Sequence, residues 1–247
     1  MLRFRSYLAL LAMLLAAWPS EAAAPVVLEL FTSQGCSSCP QADALLQRLA
    51  KEDATLLPLS LHVHYWDHLG WKDPYSSPAN TLRQKTYTQA LGGWRIYTPE
   101  LVVNGQIAAI GSDEYEVRNA IADARLTPAA ADVTISRASV GGFNVTISNK
   151  GRSPIKGTFD VLALGFEPYA KTQVEAGENR GHRLENINNV TSIQSLGTWT
   201  GGETRYTVPA SGRPGEGMAI LVQFPQQGRI LGFASYLPAS ATSGSVP

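Results

Sequence analysis

The chain has 247 residues with 20 basic and 20 acidic side chains, so it carries no charge excess with which to hold nucleic acid or an anionic membrane surface. Hydrophobic residues make up 44% and charged residues 16%, which excludes a disordered chain and leaves an ordinary globular composition with room for two domains. The two cysteines, Cys36 and Cys39, do not make a disulfide framework, because closing so short a loop constrains the unfolded chain little.

Arg3 and Arg5 precede an apolar run from Leu8 to Trp18 and the small residues Ser20-Glu21-Ala22-Ala23-Ala24. That order reads as a secretory signal peptide, too short for a membrane span. Ser20 and Ala22 favour a cut after Ala22, whereas Glu21 disfavours one after Ala23 and Pro25 one after Ala24. An uncleaved anchor is the alternative; a lipoprotein is excluded, since no cysteine lies near the cut. With residues 1–22 removed, the expectation is a soluble periplasmic or secreted protein without a later membrane span, one charge to the acidic side of neutral.

The apolar run Val26 to Phe31 predicts a buried strand, and residues 41–52 an amphipathic helix with Ala42, Leu45, Leu46 and Leu49 on one face. Between them lies Gly35-Cys36-Ser37-Ser38-Cys39-Pro40. Thr55 to His64 predicts a second strand running into an aromatic loop, Tyr65 to Trp71. Ser77-Pro78 opens a helix over about residues 78 to 91. Asn104-Gly105, flanked by apolar runs, predicts a hairpin just after Thr98-Pro99, and Ser112-Asp113 caps a helix ending near Arg125.

Thr127 to Ala131 reads as a linker, and helical patterns vanish beyond it. Residues 132–136, 142–147, 158–164 and 204–208 read as short strands. Met218 to Phe224 and Arg229 to Tyr236 form a hairpin across Pro225-Gln226-Gln227-Gly228. Such spacing predicts an all-β, sandwich-like domain over 131–237, followed by a polar, disordered tail at 238–247.

The order β-α-β-α-β-β-α over 23–127, with CxxC after the first strand and Thr-Pro before the third, resembles the thioredoxin fold in its minimal glutaredoxin-like form. That resemblance implies a cis bond before Pro99, with Thr98 and Pro99 lying against the cysteine pair and meeting a substrate peptide. Four stretches resemble the DUF1223 family of exported, thioredoxin-like bacterial proteins: Leu28 to Asp43 (LELFTSQGCSSCPQAD), Tyr65 to Pro74 (YWDHLGWKDP), Tyr97 to Gly105 (YTPELVVNG) and Gly177 to Leu184 (GENRGHRL). They run from the first strand into the second domain, and they imply the fold without naming a reaction.

A CxxC pair at a strand-to-helix junction suits dithiol–disulfide exchange, because the N–H groups and positive end of the helix stabilise the first sulfur as a thiolate. Cys36, exposed at the helix start, is expected to attack, and Cys39, one turn in, to resolve. Glu29, a carboxylate within an apolar strand, is either a solvated edge residue or a buried acid serving the pair as a proton relay. Trp66 and Trp71 either form an apolar wall for substrate or pack against the following helix. His62 and His64, at i and i+2 of one strand, share a face and offer metal ligands with the cysteines only if that strand ends above the pair. His68 and His182 read as surface or hydrogen-bonded histidines. The Gly177-Glu178-Asn179-Arg180-Gly181 turn is either plain turn geometry or a contact with the first domain or a ligand. The sequons Asn144-Val145-Thr146 and Asn189-Val190-Thr191 are discounted in a bacterial-looking chain.

The resulting expectation is a thiol–disulfide oxidoreductase acting on protein or peptide thiols, with no cofactor and no resident metal. The alternatives are a non-catalytic scaffold that docks a partner through its β domain, and a copper-handling Cys/His protein. The sequence shows no dimerisation helix.

Overall fold

The computed structural model describes residues 23–139, 141–151, 155–210, 213 and 215–238. The signal-peptide reading of 1–22 and nearly all of the tail lie outside them. Among the described residues no helix is long and apolar enough to cross a membrane.

The first half comprises β1 (Val26–Thr32), α1 (Cys39–Glu52), β2 (Leu56–His62), a 3-10 turn over His64–Leu69, α2 (Pro78–Ala90), β3 (Glu100–Val103), β4 (Ile107–Ile110) and α3 (Glu114–Arg125). Local chemistry sets its boundaries. Ser77 caps α2 by accepting from the Ala79 N–H, with Pro78 as the first helical residue, and Asp113 caps α3 by accepting from the Glu116 N–H. Asn104 and Gly105 both take positive φ in the turn between β3 and β4.

The second half comprises β5 (Ala131–Arg137), β6 (Phe143–Asn149), β7 (Phe159–Gln173), β8 (Arg183–Trp199), β9 (Thr204–Val208), β10 (Gly217–Gln223) and β11 (Ile230–Tyr236). Its strands do not form a separate sandwich. β8 runs parallel to β2, with Ser60 opposite Asn189, and so joins both halves in one eight-stranded sheet of order β11-β10-β7-β8-β2-β1-β3-β4. A three-stranded sheet, β5-β6-β9, packs on the β10 end through Val145, Ile147, Phe159, Trp199 and Ile220. The fold is therefore mixed α/β, with one large sheet and one small.

The large sheet separates two further cores. Leu28 and Leu30 of β1 face α1 and α3 with Leu45, Leu46, Leu49 and Val117. Val27 and Phe31 face the other side with Tyr87 of α2 and with Phe166 and Leu221 of the second half. This division decides which side chains can reach the cysteines, since α1 starts at Cys39 on the Leu28 side.

Candidate active site at the Cys36–Cys39 pair

β1 delivers the chain at Thr32, the Ser33–Cys36 turn reverses it with Cys36 N–H donating to Ser33 O, and α1 begins at Cys39 with Pro40 in its first turn. Cys36 and Cys39 are free thiols, both buried. Cys36 Sγ lies 3.3 Å from Ser38 Oγ and 3.9 Å from Thr98 O. The Thr98–Pro99 bond is cis, Pro99 is buried, and Trp66 Nε1 donates to Thr98 Oγ1 at 2.8 Å. Thr98, Pro99 and Trp66 thus stand beside the Cys36 sulfur.

The two thiols are electrostatically unlike. The Cys39 thiol donates to Cys36, and Ser38 and Thr98 add to this against the cost of burial, so that Cys36 falls from 9.0 to about 6. Cys39 is pushed well above the ordinary range by burial, by its bond to Cys36 and by the charge of Asp43. The opposite shifts favour the thiolate at Cys36 and the thiol at Cys39.

Cys36 is not exposed as its place at the helix start suggested: only 1% of its surface meets solvent. Two loops cover it. Trp66 rests on the turn at Gly35, where an added Cβ would come within 3.3 Å of Trp66 Cβ. From the second half, the Gly177–Gly181 turn straps the CxxC backbone. Asn179 Nδ2 donates to Gln34 O at 2.9 Å and Cys36 O at 2.8 Å, and Glu178 Oε2 accepts from the Ser37 N–H at 3.0 Å. Gly177 and Gly181, at φ +73° and +85°, give the strap a backbone that other residues adopt with strain. Of the readings open for this turn, contact with the first half is the one realised.

Glu29 fits neither of its expected roles. It is fully buried, yet on the α2 side of the sheet, away from the cysteines. Arg83 grips it with Nε to Oε1 at 2.6 Å and Nη2 to Oε2 at 2.9 Å, and the Tyr87 hydroxyl also donates to it. Arg83 and Tyr87 reach on to Gln223 of β10, so the cluster ties α2 to the second half. A paired, hydrogen-bonded carboxylate of this kind is structural.

His62 and His64 part company, because β2 ends at His62 and the chain turns. His64 Nδ1 bonds Thr81 Oγ1 at 2.7 Å, whereas His62 is buried between Asp73 (Nδ1 to Oδ2, 2.7 Å) and Asn189 (Nε2 to Oδ1, 3.0 Å). Both His62 nitrogens are occupied, and the described residues contain no group of three His, Cys, Asp or Glu side chains placed to hold a metal. His68 and His182 are exposed. Trp71 Nε1 donates to Gln34 Oε1 at 3.2 Å, which puts it beside the CxxC turn rather than against a helix.

Beneath the pair lies a polar cluster that the sequence analysis missed. Asp73 Oδ2 accepts from the Gln34 N–H at 2.8 Å, Gln34 Nε2 donates to Thr172 Oγ1 at 3.0 Å, and Thr32 Oγ1 donates to Asp43 Oδ2 at 3.3 Å. Burial alone would drive His62 down, but Asp73 raises it; burial would drive Asp73 up, but His62 holds it low. The two form a buried ion pair. Burial lifts the Asp43 carboxyl from 3.8 to about 7, outweighing the charge of His62 and the hydrogen bonds of Thr32 and Asn186 that pull it down. Its signal in the sequence is a carboxylate four residues after Cys39 on the helix face that also carries Ala42 and Leu46.

Residues 27–223 match the family model described as "Protein of unknown function (DUF1223)". The fold is similar to a crystal structure of a protein from Agrobacterium tumefaciens, with 29% identity and a TM-score of 0.75 over 87% of this chain and 95% of that one. No match was found among curated proteins.

Proposed function

The chain belongs to the DUF1223 family, and from that premise we propose that it is an exported thiol–disulfide oxidoreductase acting on protein or peptide thiols. The observation that carries this reading is the placement of the pair at the start of α1, with Cys36 Sγ 3.3 Å from Ser38 Oγ and 3.9 Å from Thr98 O, where the Cys39 thiol and these neighbours lower Cys36 and burial raises Cys39. The β-α-β-α-β-β-α order, with CxxC opening α1 and a cis Thr98–Pro99 bond before β3, supports a thioredoxin-like reading of the first half. In the reducing direction, Cys36 S⁻ attacks one sulfur of a partner disulfide and the other sulfur leaves as a thiolate. Cys39 then loses its proton and attacks Cys36, forming the Cys36–Cys39 bond and releasing the second partner thiolate. Two electrons pass to the partner, and the oxidising direction is the reverse.

Thr98 and Trp66, joined by a hydrogen bond at the sulfur, are the groups an incoming chain meets first. In-line approach to a thiol with 1% of its surface exposed requires Trp66 or the Glu178–Asn179 strap to shift. That same burial favours a second reading, a scaffold whose thiols stay closed. One experiment separates the two. Cys39→Ser removes the resolving thiol, so an oxidoreductase accumulates disulfides between Cys36 and partners on a non-reducing gel of a periplasmic extract, and Cys36→Ser loses them. A Cys39→Ser protein that stays monomeric, with Cys36 unmodified, refutes exchange and leaves the scaffold.

A further inference from the structure

Helix α2 buries a polar stripe, Asn80, Gln84 and Thr88, where apolar residues would pack at lower cost. Gln84, fully enclosed, spends its whole amide on the two segments that close on Cys36. Its Nε2 donates to Tyr97 O at 2.6 Å and to Glu100 Oε2 at 2.8 Å, and its Oε1 accepts from the Tyr65 hydroxyl at 3.2 Å. Tyr97 and Glu100 bracket Thr98 and Pro99, and Tyr65 precedes Trp66. The bonded groups are thus one residue away from those at the sulfur: Thr98 O lies 3.9 Å from Cys36 Sγ, and Trp66 Nε1 donates to Thr98 Oγ1. The helix that carries Gln84 is itself fixed. Arg83 grips Glu29 of β1 and Gln223 of β10, and Asn80 Nδ2 donates to His62 O at 3.0 Å. Only an uncharged amide supplies two donors and an acceptor at this place. A carboxylate would face Glu100 and Tyr97 O, and a methionine would fill the volume but leave both oxygens without this donor.

We propose that Gln84 is a positioning residue of the exchange site, holding the Tyr97–Glu100 loop and Tyr65 so that Thr98 and Trp66 stand at the Cys36 sulfur. The word exchange rests on the function proposed above; the placement of Thr98 does not. Trp66 donates to Thr98 Oγ1, which leaves the Thr98 hydroxyl hydrogen to turn to the sulfur, and Thr98 joins Cys39 and Ser38 in lowering Cys36. A loop released from Gln84 withdraws that hydroxyl from the thiolate and loosens Trp66, which is anchored on it. Gln84 touches no reacting atom and moves neither proton nor electron. Among the described residues, the other titratable groups around the sulfur, which are Cys39 and Asp43 on α1, the His62–Asp73 pair and Glu178 on the strap, make no hydrogen bond with Gln84. Tyr65 and Glu100 do. Tyr65 stays neutral, because burial pushes its hydroxyl up. Burial also raises Glu100 against the Gln84 bond, so loss of that bond favours its neutral form and eases ionisation of Cys36. A Cys36 midpoint that rises when Gln84 is replaced therefore reports Thr98 and not Glu100.

The test follows Cys36 alkylation by iodoacetamide against pH, read by peptide mass, in the reduced mature protein, Gln84→Met, Thr98→Val and the double variant, with folding checked by circular dichroism. A looser cover raises the rate equally at every pH and leaves the midpoint in place, so the midpoint separates positioning from loosening. Gln84→Met is expected to lower the rate at about pH 5, relative to its own plateau at about pH 8, about threefold, as for one hydrogen bond lost by the thiolate. It is expected to add nothing to Thr98→Val, because both act along one route. An unmoved midpoint in folded Gln84→Met, or a full further rise on top of Thr98→Val, overturns the proposal. If Gln84→Met does not fold, Tyr65→Phe, which removes one hydroxyl and keeps the ring, takes its place: a raised midpoint supports the proposal and an unmoved one overturns it. Reduction of oxidised glutathione by the wild type is measured in parallel. Its absence counts against the oxidoreductase reading, with the midpoints still deciding Gln84.

Discussion

Replacing Asp43 by Asn should stabilise the protein, and only where the carboxyl would be ionised. The unfolded chain loses the Asp43 proton near 3.8 and the folded chain near 7. Between those values the native state holds a proton that the unfolded state has released, so stability falls as pH rises through the window and the whole cost is present above it. At 1.36 kcal/mol per pH unit, the complete cost is on the order of 4 kcal/mol. Asn carries no such cost, so its advantage over wild type should widen by about 3 kcal/mol between about pH 5 and about pH 8. His62, whose raised value favours stability at low pH and loses it as pH rises, is raised mainly by Asp73 and in smaller part by the Asp43 charge, so it changes little between the two proteins. Guanidinium unfolding of the reduced proteins at both pH values, followed by tryptophan fluorescence, reads the difference directly. An advantage that is the same at both values would mean that Asp43 titrates as an ordinary carboxylate despite its burial.

Alkylation of Cys36 by iodoacetamide, read by mass, should follow a midpoint near 6, and Cys39→Ala, which removes the donor, should move it up towards 9.0, because the Cys39 thiol is the largest stabiliser of the thiolate; no movement would contradict that assignment. Asn179→Ala removes the side-chain donor to Gln34 O and Cys36 O, the latter keeping the Cys39 N–H, so it should cost about 1–3 kcal/mol and raise the alkylation rate of Cys36 several-fold by loosening the strap. A rate equal to wild type would show that Trp66 alone closes the site. Gly105→Ala should cost about 2 kcal/mol or more in thermal or denaturant unfolding, since the residue has φ +66° and its Cβ would fall 2.6 Å from Gly228 O, where the two halves meet.

The sequence made the first half legible because its signals are local and strong. An apolar strand leads into CxxC, Ser77-Pro78 and Asp113 mark helix starts, and Asn104-Gly105 marks a turn. The second half was harder for a specific reason. Over Arg183 to Val190 the buried positions of β8 include Asn186, Asn188 and Asn189, so neither alternation nor an apolar run announces a strand. Those asparagines face polar partners, Asn189 bonding His62 and Asn188 bonding Pro58 O. Missing β8 hid the joint between the halves, and with it the strap and the cluster under the cysteines. Glu29 misled because a lone carboxylate in a strand says nothing of which face it takes. Its partner Arg83 lies 54 residues away, and the sheet's alternation sends Glu29 to α2 and Thr32 to α1. Asp43 was readable in principle, as a charge on an otherwise apolar helical face in register with Cys39.

The central claim, that Cys36 and Cys39 form an exchanging pair, meets its most direct test in their reduction potential. The mature protein would be equilibrated across glutathione buffers, quenched by alkylation, and read by mass. The account predicts a labile disulfide with a potential above about −270 mV, in the range of exchange proteins. A value below about −300 mV would mark a resistant structural bond and contradict the account.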